Sequence, residues 1–399
     1  MSAGAVPPKR YSSLTQLPGG LWALGFVSMF MDISSEMIHG LLPVFLTSVL
    51  GASTEVVGLI EGVGEATASI TKLFSGWLSD KLGKRKILTV IGYGLGALSK
   101  PLFALAPAAS VVLAARFSDR VGKGLRDAPR DAMIGDLTSS GMRGAAYGLR
   151  QALDTVGAVA GPLVAIALMA WTNDDFRLIF GLAFIPGLVA VLVLAFGVRE
   201  PPRESSLPPS LKLADLNTLG AAYWAVIGIG ALLTLARFSE AFLILRAQGA
   251  GLPLALAPLV LIVMNIIFSV SAYPLGDLSD KINRKLLLIV GFAVLAGADV
   301  VLAFAPNVPV VMIGVALWGL HMGMTQGVLA ALVADEAPAN LRGTAFGVFN
   351  FVSGVALLVA SLIAGVLWER IGPQATFIAG AAFTALGLFG TVMVARHSR

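Results

Sequence analysis

Cysteine is absent from this 399-residue chain, and charged residues make up only 13% of it. Without cysteine there are no disulfides and no thiolate metal sites. Soluble globular domains carry about 25% charged residues, so the shortage of charge excludes an ordinary soluble domain. A hydrophobic fraction of 57% and a mean hydropathy of +0.85 agree with that exclusion. We therefore expect an integral membrane protein surrounded by the lipid bilayer.

Several signatures of enzymes and of nucleic-acid binding are also missing. The chain has no phosphate-binding GK[ST] loop and no HExxH metalloprotease motif. Its isoelectric point of 9.6 does not indicate nucleic-acid binding, because the basic residues lie between apolar segments. We expect neither an enzyme nor an ATP-driven pump, no cofactor, no bound metal, no nucleic acid and no obligatory protein partner.

Apolar runs of about 20–28 residues suit α-helices that cross a hydrocarbon core of about 30 Å. A stretch rich in proline, serine and charge separates two groups of six runs. The predicted fold is an all-α membrane protein with a tail (1–20), a first half (21–198), a linker (199–218) and a second half with a short tail (219–399). The predicted spans are 21–49, 55–79, 87–106, 108–136, 144–170, 177–197, 219–245, 252–276, 286–305, 309–334, 343–367 and 374–395.

The basic residues between the spans predict the orientation. Sixteen Lys and Arg residues lie on the side of the N-terminus, against three on the other side. Cytoplasmic loops carry the excess of Lys and Arg in membrane proteins. Both termini are therefore predicted to be cytoplasmic, and we expect the inner (cytoplasmic) membrane of a prokaryote.

The two halves repeat each other in sequence. Residues 76–86 read GWLSDKLGKRK, and residues 276–286 read GDLSDKINRKL. A second echo pairs Asp136 and Arg143 with Asp335 and Arg342, at a spacing of 199. Two halves of the same topology predict parallel repeats about an axis along the membrane normal.

The loop between the second and third spans carries a family resemblance. It is similar to the loop signature of the major facilitator superfamily through Gly76, Leu78, Asp80, Lys81, Gly83, Lys84 and Arg85. Arg116 is similar to an arginine of that family's fourth helix. Gly157, Gly161 and Pro162 resemble a fifth-helix pattern that the family associates with antiporters, although Leu163 follows where a glycine is usual. The resemblance covers the whole chain and implies twelve transmembrane helices in two pseudo-symmetric halves.

The resemblance also implies gating residues. In that family the loop aspartate, here Asp80, holds the cytoplasmic side closed in the outward-open state. The start of the fifth span and the start of the eleventh carry comparable Arg-Gly pairs. The candidate gating residues are Asp80, Lys81, Gly83, Arg85, Arg143, Asp280 and Arg342.

The first span carries three ionisable residues on one face. Asp32, Glu36 and His39 follow at steps of four and three, so they fall within roughly 60° of each other. Ionisable groups at that depth cost on the order of 2.5–3.5 kcal/mol each and normally face a bundle interior or a wet cavity. Either they bind a coupling proton or a cationic substrate group, or they form permanent structural ion pairs.

Other spans of the first half carry matching charge. Glu61, Glu65 and Lys72 share a face of the second span, and the fourth span is rich in arginine. Those arginines either neutralise the acids or anchor an anionic substrate by bidentate contact. The second half is quieter, and Arg237 with Glu240 could pair one turn apart. The candidates for proton coupling and substrate binding are Asp32, Glu36, His39, Glu61, Glu65, Arg116, Arg120, Asp154, Arg237 and Glu240.

These features favour a secondary transporter that exports a small molecule by proton-coupled antiport. One alternative is proton-coupled symport of an organic anion held by Arg116, Arg120 or Arg237. Another is a divalent metal carrier that uses the first-span residues with His321, although packing is the simpler role for that histidine and its methionine neighbours. A membrane receptor or scaffold that transports nothing is the alternative from a different class.

Overall fold

The computed structural model describes residues 17–138, 142–200, 218–338 and 341–397, without the side chains of residues 80, 280, 285, 342, 343 and 392–397. Its long helices follow the predicted spans in order. In the first half they are α1 Gly19–Val49, α2 Thr54–Leu82, α3 Arg85–Leu105, α4 Ala109–Asp136, α5 Arg143–Thr172 and α6 Phe176–Gly197. In the second half they are α7 Ala221–Gly249, α8 Leu259–Lys281, α9 Arg284–Phe304, α10 Val308–Glu336, α11 Arg342–Arg370 and α12 Pro373–His397.

Within the described residues, ten of these helices are long and apolar enough to cross a membrane. The chain is an integral membrane protein built of helices. The other two, α2 and α4, have 29 and 28 residues but carry more charge than an ordinary span. That all twelve cross the bilayer stays a prediction, and the charge on α2 and α4 is what sets them apart.

Three long helices are interrupted. In α1 the regular helix ends at His39 and resumes at Leu42. In α6 the break lies at Ala183, whose carbonyl accepts a hydrogen bond of 2.6 Å from the Ser34 hydroxyl of α1. In α7 the helix stops at Ala236 and resumes at Ala241. Backbone amides at the breaks keep hydrogen-bond partners, such as Leu41 to the Ile38 carbonyl and Ala183 to the Ile179 carbonyl, both at 2.9 Å, as a bundle interior without water requires.

The two halves pack in the same way. In the first half α1 packs on α5 and α6, while α4 packs on α2 and α3. In the second half α7 packs on α11 and α12, while α10 packs on α8 and α9. The halves meet where α2 contacts α11 and α5 contacts α8. This arrangement is the parallel repeat that the sequence echo predicts.

The two ends of the bundle differ in how the halves touch. We name the end that carries Gly19 and Asp136 the near face, and the end that carries Thr54 and Arg370 the far face. At the far face one apolar cluster joins both halves. At the near face the first and second halves have separate clusters around Leu24 and Tyr223. The halves are therefore closed on each other at the far face.

Polar contacts reinforce that closure. The Thr54 hydroxyl donates a hydrogen bond of 2.8 Å to Glu369, and Glu55 pairs with Arg370 at 3.1 Å. Both contacts join α2 to α11. A Cβ built on Gly40 would lie 2.9 Å from the Cβ of Pro258, so the break in α1 also touches the start of α8.

Candidate functional site

A cavity of 290 Å³ lies between the two halves and is lined mainly by charged side chains. They come from α1, α2 and α4 on one side and from the break in α7 on the other. The charged lining is Glu36, His39, Glu61, Glu65, Arg120, Lys123, Arg237 and Glu240.

His39 joins the acids of α1 and α2. Its Nδ1 lies 3.6 Å from Glu36 Oε2, and its Nε2 lies 3.8 Å from Glu61 Oε2. The same Glu61 oxygen accepts a hydrogen bond of 2.5 Å from Arg116 Nη2. Glu61 and Arg116 are almost fully buried, with 1% and 3% of their surface exposed. A chain of proton-binding groups thus runs from the cavity to a buried ion pair.

A second ion pair repeats the first one turn away. Arg120 Nη2 lies 3.2 Å from Glu65 Oε1. Because residues four apart lie on one helix face, Arg116 and Arg120 of α4 face Glu61 and Glu65 of α2 in register. The second-span and fourth-span stripes of the sequence therefore meet.

Lys100 is a further buried charge, outside the set of residues predicted from the sequence. It lies on α3, is 1% exposed, and its Nζ is 2.8 Å from Asp119 Oδ1 and 3.1 Å from Ser35 Oγ. A lysine in the middle of an apolar run is a signal that sequence reading could have used. The pair ties α3 to α4 behind the cavity wall.

Asp154 belongs to a different cluster. It pairs with Arg150 at 2.7 Å, and Arg150 lies 3.7 Å from Asp131, which also pairs with Arg130 at 3.0 Å. None of these four side chains is among those lining the cavity. Asp154 was predicted as a coupling residue, and it lies in this α4–α5 cluster and not in the cavity lining.

The glycines of α5 allow that helix to pack tightly on the acidic stripe of α1. A Cβ built on Gly157 would lie 2.8 Å from Asp32 Cβ and 2.7 Å from the Met29 carbonyl oxygen. A Cβ on Gly161 would lie 2.8 Å from Glu36 Cβ. Only glycine permits this approach, so the fifth-helix glycine pattern sets the position of the stripe.

Some charges lack a close partner. Among the described side chains, Arg237 and Glu240 have no oppositely charged atom within 4 Å, so they do not form the ion pair that their spacing in the sequence would allow. The break in α7 explains this, because the two residues are not one turn apart on a helix. Asp32 likewise has no described partner within 4 Å. Lys72 is exposed, and the described ion pairs do not include it.

A second cavity of 360 Å³ adjoins the first, and Arg237 and Leu357 border both. Arg237 is its only charged lining residue among those described. The hydrogen-bonding groups are otherwise hydroxyls and amides, from Ser69, Thr234, Thr325, Gln326, Asn350 and Ser353. The two cavities thus offer a charged compartment and a neutral polar one.

The second half holds two buried titratable residues away from the cavities. His321 is fully buried and its Nδ1 lies 2.8 Å from the Gly291 carbonyl oxygen. Asp299 is also fully buried, and neither carboxyl oxygen has a hydrogen-bond partner among the described groups. Nowhere in the described ranges do three or more His, Cys, Asp or Glu side chains gather to hold a metal ion.

The near-face loops hold the candidate gating residues. Gly83 ends α2 with a φ of 64°, a left-handed conformation that favours glycine, and Lys81 lies 4.9 Å from the Trp77 ring. Arg85 pairs with Asp136, and Arg284 forms the equivalent pair with Asp335 in the second half. Arg143 is exposed. The side chains of Asp80, Asp280 and Arg342 lie outside the described part.

The family model of the Major Facilitator Superfamily matches residues 24–361. The chain belongs to the Major Facilitator Superfamily. It is 34% identical over 375 residues to an uncharacterised transporter of this family from Methanocaldococcus jannaschii, covering 92% of each chain. It is therefore a transporter and not an enzyme, and its substrates are small molecules.

Solved structures show the same major facilitator fold. A POT family transporter in complex with a thioalcohol-conjugated peptide matches with a TM-score of 0.79 at 14% identity, over 95% of this chain and 96% of that one. The nucleoside transporter NupG matches with a TM-score of 0.78 at 11% identity, over 94% and 99%. At these identities the likeness extends to the fold alone.

Proposed function

We propose that the protein exports a small polar molecule in exchange for protons. One observation carries this proposal: Glu36, His39 and Glu61 line the cavity in which a substrate would also bind. A proton and a cationic substrate group that use the same carboxylates exclude each other. Because linkage is reciprocal, each then lowers the affinity of the other, which is the condition for antiport.

The coupling residues in this proposal are Glu61 and Glu36 with His39 between them. Protonation of Glu61 removes the charge that neutralises Arg116, and His39 provides a route for the proton between α1 and α2. Asp32 lies on the same face of α1 and beside Gly157, so it adds a carboxyl group to the route. Arg120 and Glu65, which also line the cavity, neutralise each other as an ion pair.

Transport occurs by alternating access. The halves are closed on each other at the far face, whereas at the near face each half has its own apolar core, as expected for a state that opens toward the near face. The near face is the cytoplasmic one in this proposal, because the Lys and Arg residues of the loops concentrate there. The protein then resides in a cytoplasmic membrane, with both termini inside. The loop ion pairs, with Asp80, Asp280 and Arg342, act as the near-face gate.

A second candidate is proton-coupled symport of an organic anion. It is favoured by Arg237, which borders both cavities without a close described partner, whereas Arg116 and Arg120 are already paired with glutamates. Protonation of the carboxylates would make the cavity more positive and would strengthen anion binding. The charge of the substrate thus determines the sign of the coupling.

The direction of proton movement distinguishes the two candidates. Purified protein is reconstituted into liposomes loaded with a pH-sensitive dye, and amines, amino acids and organic acids are added outside one at a time. Antiport predicts that a transported compound makes the lumen more alkaline, because protons leave as it enters. Symport predicts acidification instead.

The variants Glu61→Gln and Glu36→Gln test the assigned residues in the same assay. Either change is expected to abolish the pH signal, while Arg199→Gln, at an exposed near-face position outside both signature loops, should leave it intact. If both glutamate variants move protons like the unmodified protein, the coupling site lies elsewhere and this proposal fails.

A further inference from the structure

Arg237 and Glu240 form an unusual pair of charges in the cavity wall. They lie three residues apart in the break of α7, and both line the 290 Å³ cavity. They carry opposite charge, yet neither has an oppositely charged atom within 4 Å among the described side chains. Uncompensated charges within a membrane bundle are costly and are usually matched.

The other charges of the cavity are matched. Arg120 pairs with Glu65, and Glu36 lies beside His39. Lys123 of α4 has no acid within 4 Å among the described side chains, and it is attracted by Glu36 and Glu65 at longer range. Arg237 and Glu240 likewise attract each other only at longer range, and they are the two opposite charges that one short segment presents to the cavity without an ion-pair contact.

The backbone that carries them is held firmly. Phe238 packs against Phe242, Trp318 and Phe377, with ring centroids 5.6, 5.4 and 5.5 Å away. The Ser239 amide donates a hydrogen bond of 3.3 Å to the Ser361 hydroxyl of α11. Rigid support of this kind holds binding groups at fixed positions. The segment presents one cation and one anion to the cavity at a set separation.

We propose that this cavity binds a small zwitterion, with the anionic group of the substrate on Arg237 and its ammonium group on Glu240. The inference rests on the proposed transport through this cavity and names the class of substrate. The guanidinium fork suits a carboxylate or phosphate. A volume of 290 Å³ is at the lower end of ligand pockets, about 300–1,000 Å³, so the substrate is small.

A zwitterion also fits exchange for protons. Its ammonium group would occupy the acidic side of the cavity, where Glu240 lies together with Glu36 and His39. There it competes with the proton, while the anionic group on Arg237 does not. The neutral remainder of the substrate can extend into the second cavity, whose hydroxyl and amide groups adjoin Arg237.

The test measures binding without any gradient. Thermal stability of the purified protein is recorded with glycine, β-alanine, 4-aminobutyrate, 5-aminopentanoate and 6-aminohexanoate, and with the alkylamine and alkanoate of each length. The zwitterion whose two charges are best spaced for Arg237 and Glu240 should raise the melting temperature, and the rise should saturate with its concentration. The alkylamine and the alkanoate of the same length should not raise it. Equal stabilisation by an amine or an alkanoate, or none by any zwitterion of the series, overturns the proposal.

Variants assign the two charges. For the best zwitterion, Arg237→Gln should weaken binding about 10–100-fold and remove the preference for the free acid over its amide. Glu240→Gln should weaken binding similarly and remove the preference for the free amine over its N-acetyl derivative. Arg237→Lys keeps the charge and should restore part of the affinity, which separates charge recognition from misfolding. Arg199→Gln serves as the control at an exposed position.

Unchanged selectivity in Arg237→Gln and Glu240→Gln would show that the zwitterion binds elsewhere. Because these measurements involve no proton gradient, their failure is distinct from failure of the antiport proposal. If a zwitterion binds as described but its transport moves no protons, the antiport proposal fails and the zwitterion proposal stands. If a compound with a single charge exchanges for protons, the zwitterion proposal fails and the antiport proposal stands.

Discussion

Among individual residues, Glu61 gives the most specific prediction, because it forms a buried ion pair with Arg116. It is 1% exposed and its partner Arg116 is 3% exposed. Removing one member of a buried ion pair leaves the other charge uncompensated and costs about 3–5 kcal/mol. We therefore expect Glu61→Gln to lower the free energy of unfolding by about that amount, measured by thermal or denaturant unfolding in detergent.

The matched control is the exposed pair of the far face. Glu55 pairs with Arg370, which is 73% exposed, so Glu55→Gln should change stability by about 0–1 kcal/mol. The double variant Glu61→Gln with Arg116→Gln should recover much of the stability that Glu61→Gln loses, because no unpaired charge remains. Equal losses for Glu55→Gln and Glu61→Gln would contradict the view that burial makes the inner pair critical.

The sequence pointed to most of the charged residues that line the cavity or lie behind it, because charge in an apolar run stands out, although Lys100 was not among the predicted residues. The residue spacing also predicted that the stripes of α1, α2 and α4 face inward. It could not predict which groups pair, since that depends on helix rotation and offset. His39 between Glu36 and Glu61, and Arg237 left without a close partner, follow from the packing of different helices.

At the scale of helices, the close packing of α5 on α1 leads to a testable prediction. Gly157→Ala would place a methyl group 2.7 Å from a backbone oxygen of α1, and the two helices must separate. Such overpacking costs about 1–3 kcal/mol. We expect a lower melting temperature and slower transport, because Asp32 and Glu36 move with α1.

Gly148 on the same helix is the matched control. A Cβ built there has no heavy atom within 4 Å. Gly148→Ala should therefore be neutral or should stabilise the helix by about 0.5–1 kcal/mol. If the two alanine variants behave alike, the close approach of α1 and α5 does not matter for stability.

The helices themselves were predictable, because apolar runs of this length have few other structures in a membrane. The breaks were not. The break in α7 contains no proline or glycine between Ala236 and Ala241, so no local signal marks it. It is stabilised by tertiary contacts of Phe238 and Ser239, and these determine where Arg237 and Glu240 lie.

For the whole molecule, alternating access requires the far face to open. The chain has no cysteine, so two introduced cysteines can pair only with each other within one molecule. Gly40 and Pro258 belong to different halves, and a Cβ built on Gly40 would lie 2.9 Å from the Cβ of Pro258. This is shorter than the about 3.5–4.5 Å between the Cβ atoms of a disulfide, so a small separation of the two segments is needed for the bond to form. We expect oxidation of Gly40→Cys with Pro258→Cys to stop transport, and reduction to restore it.

Each single-cysteine variant controls for the substitution itself and should transport with or without oxidant. Cross-link formation is followed by the shift of the protein on a denaturing gel. Full transport by the fully cross-linked protein would mean that the far face stays closed throughout the cycle, contrary to the mechanism proposed here.

The most direct test of proton-coupled exchange is accumulation of a radiolabelled substrate against its gradient. The compound that gives the strongest pH signal is added to proteoliposomes with an acidic lumen, an acidic exterior or no pH gradient. Antiport predicts accumulation above equilibrium only with the acidic lumen, and no accumulation in Glu61→Gln. Accumulation driven by an acidic exterior, or accumulation that ignores the pH gradient, would contradict the account.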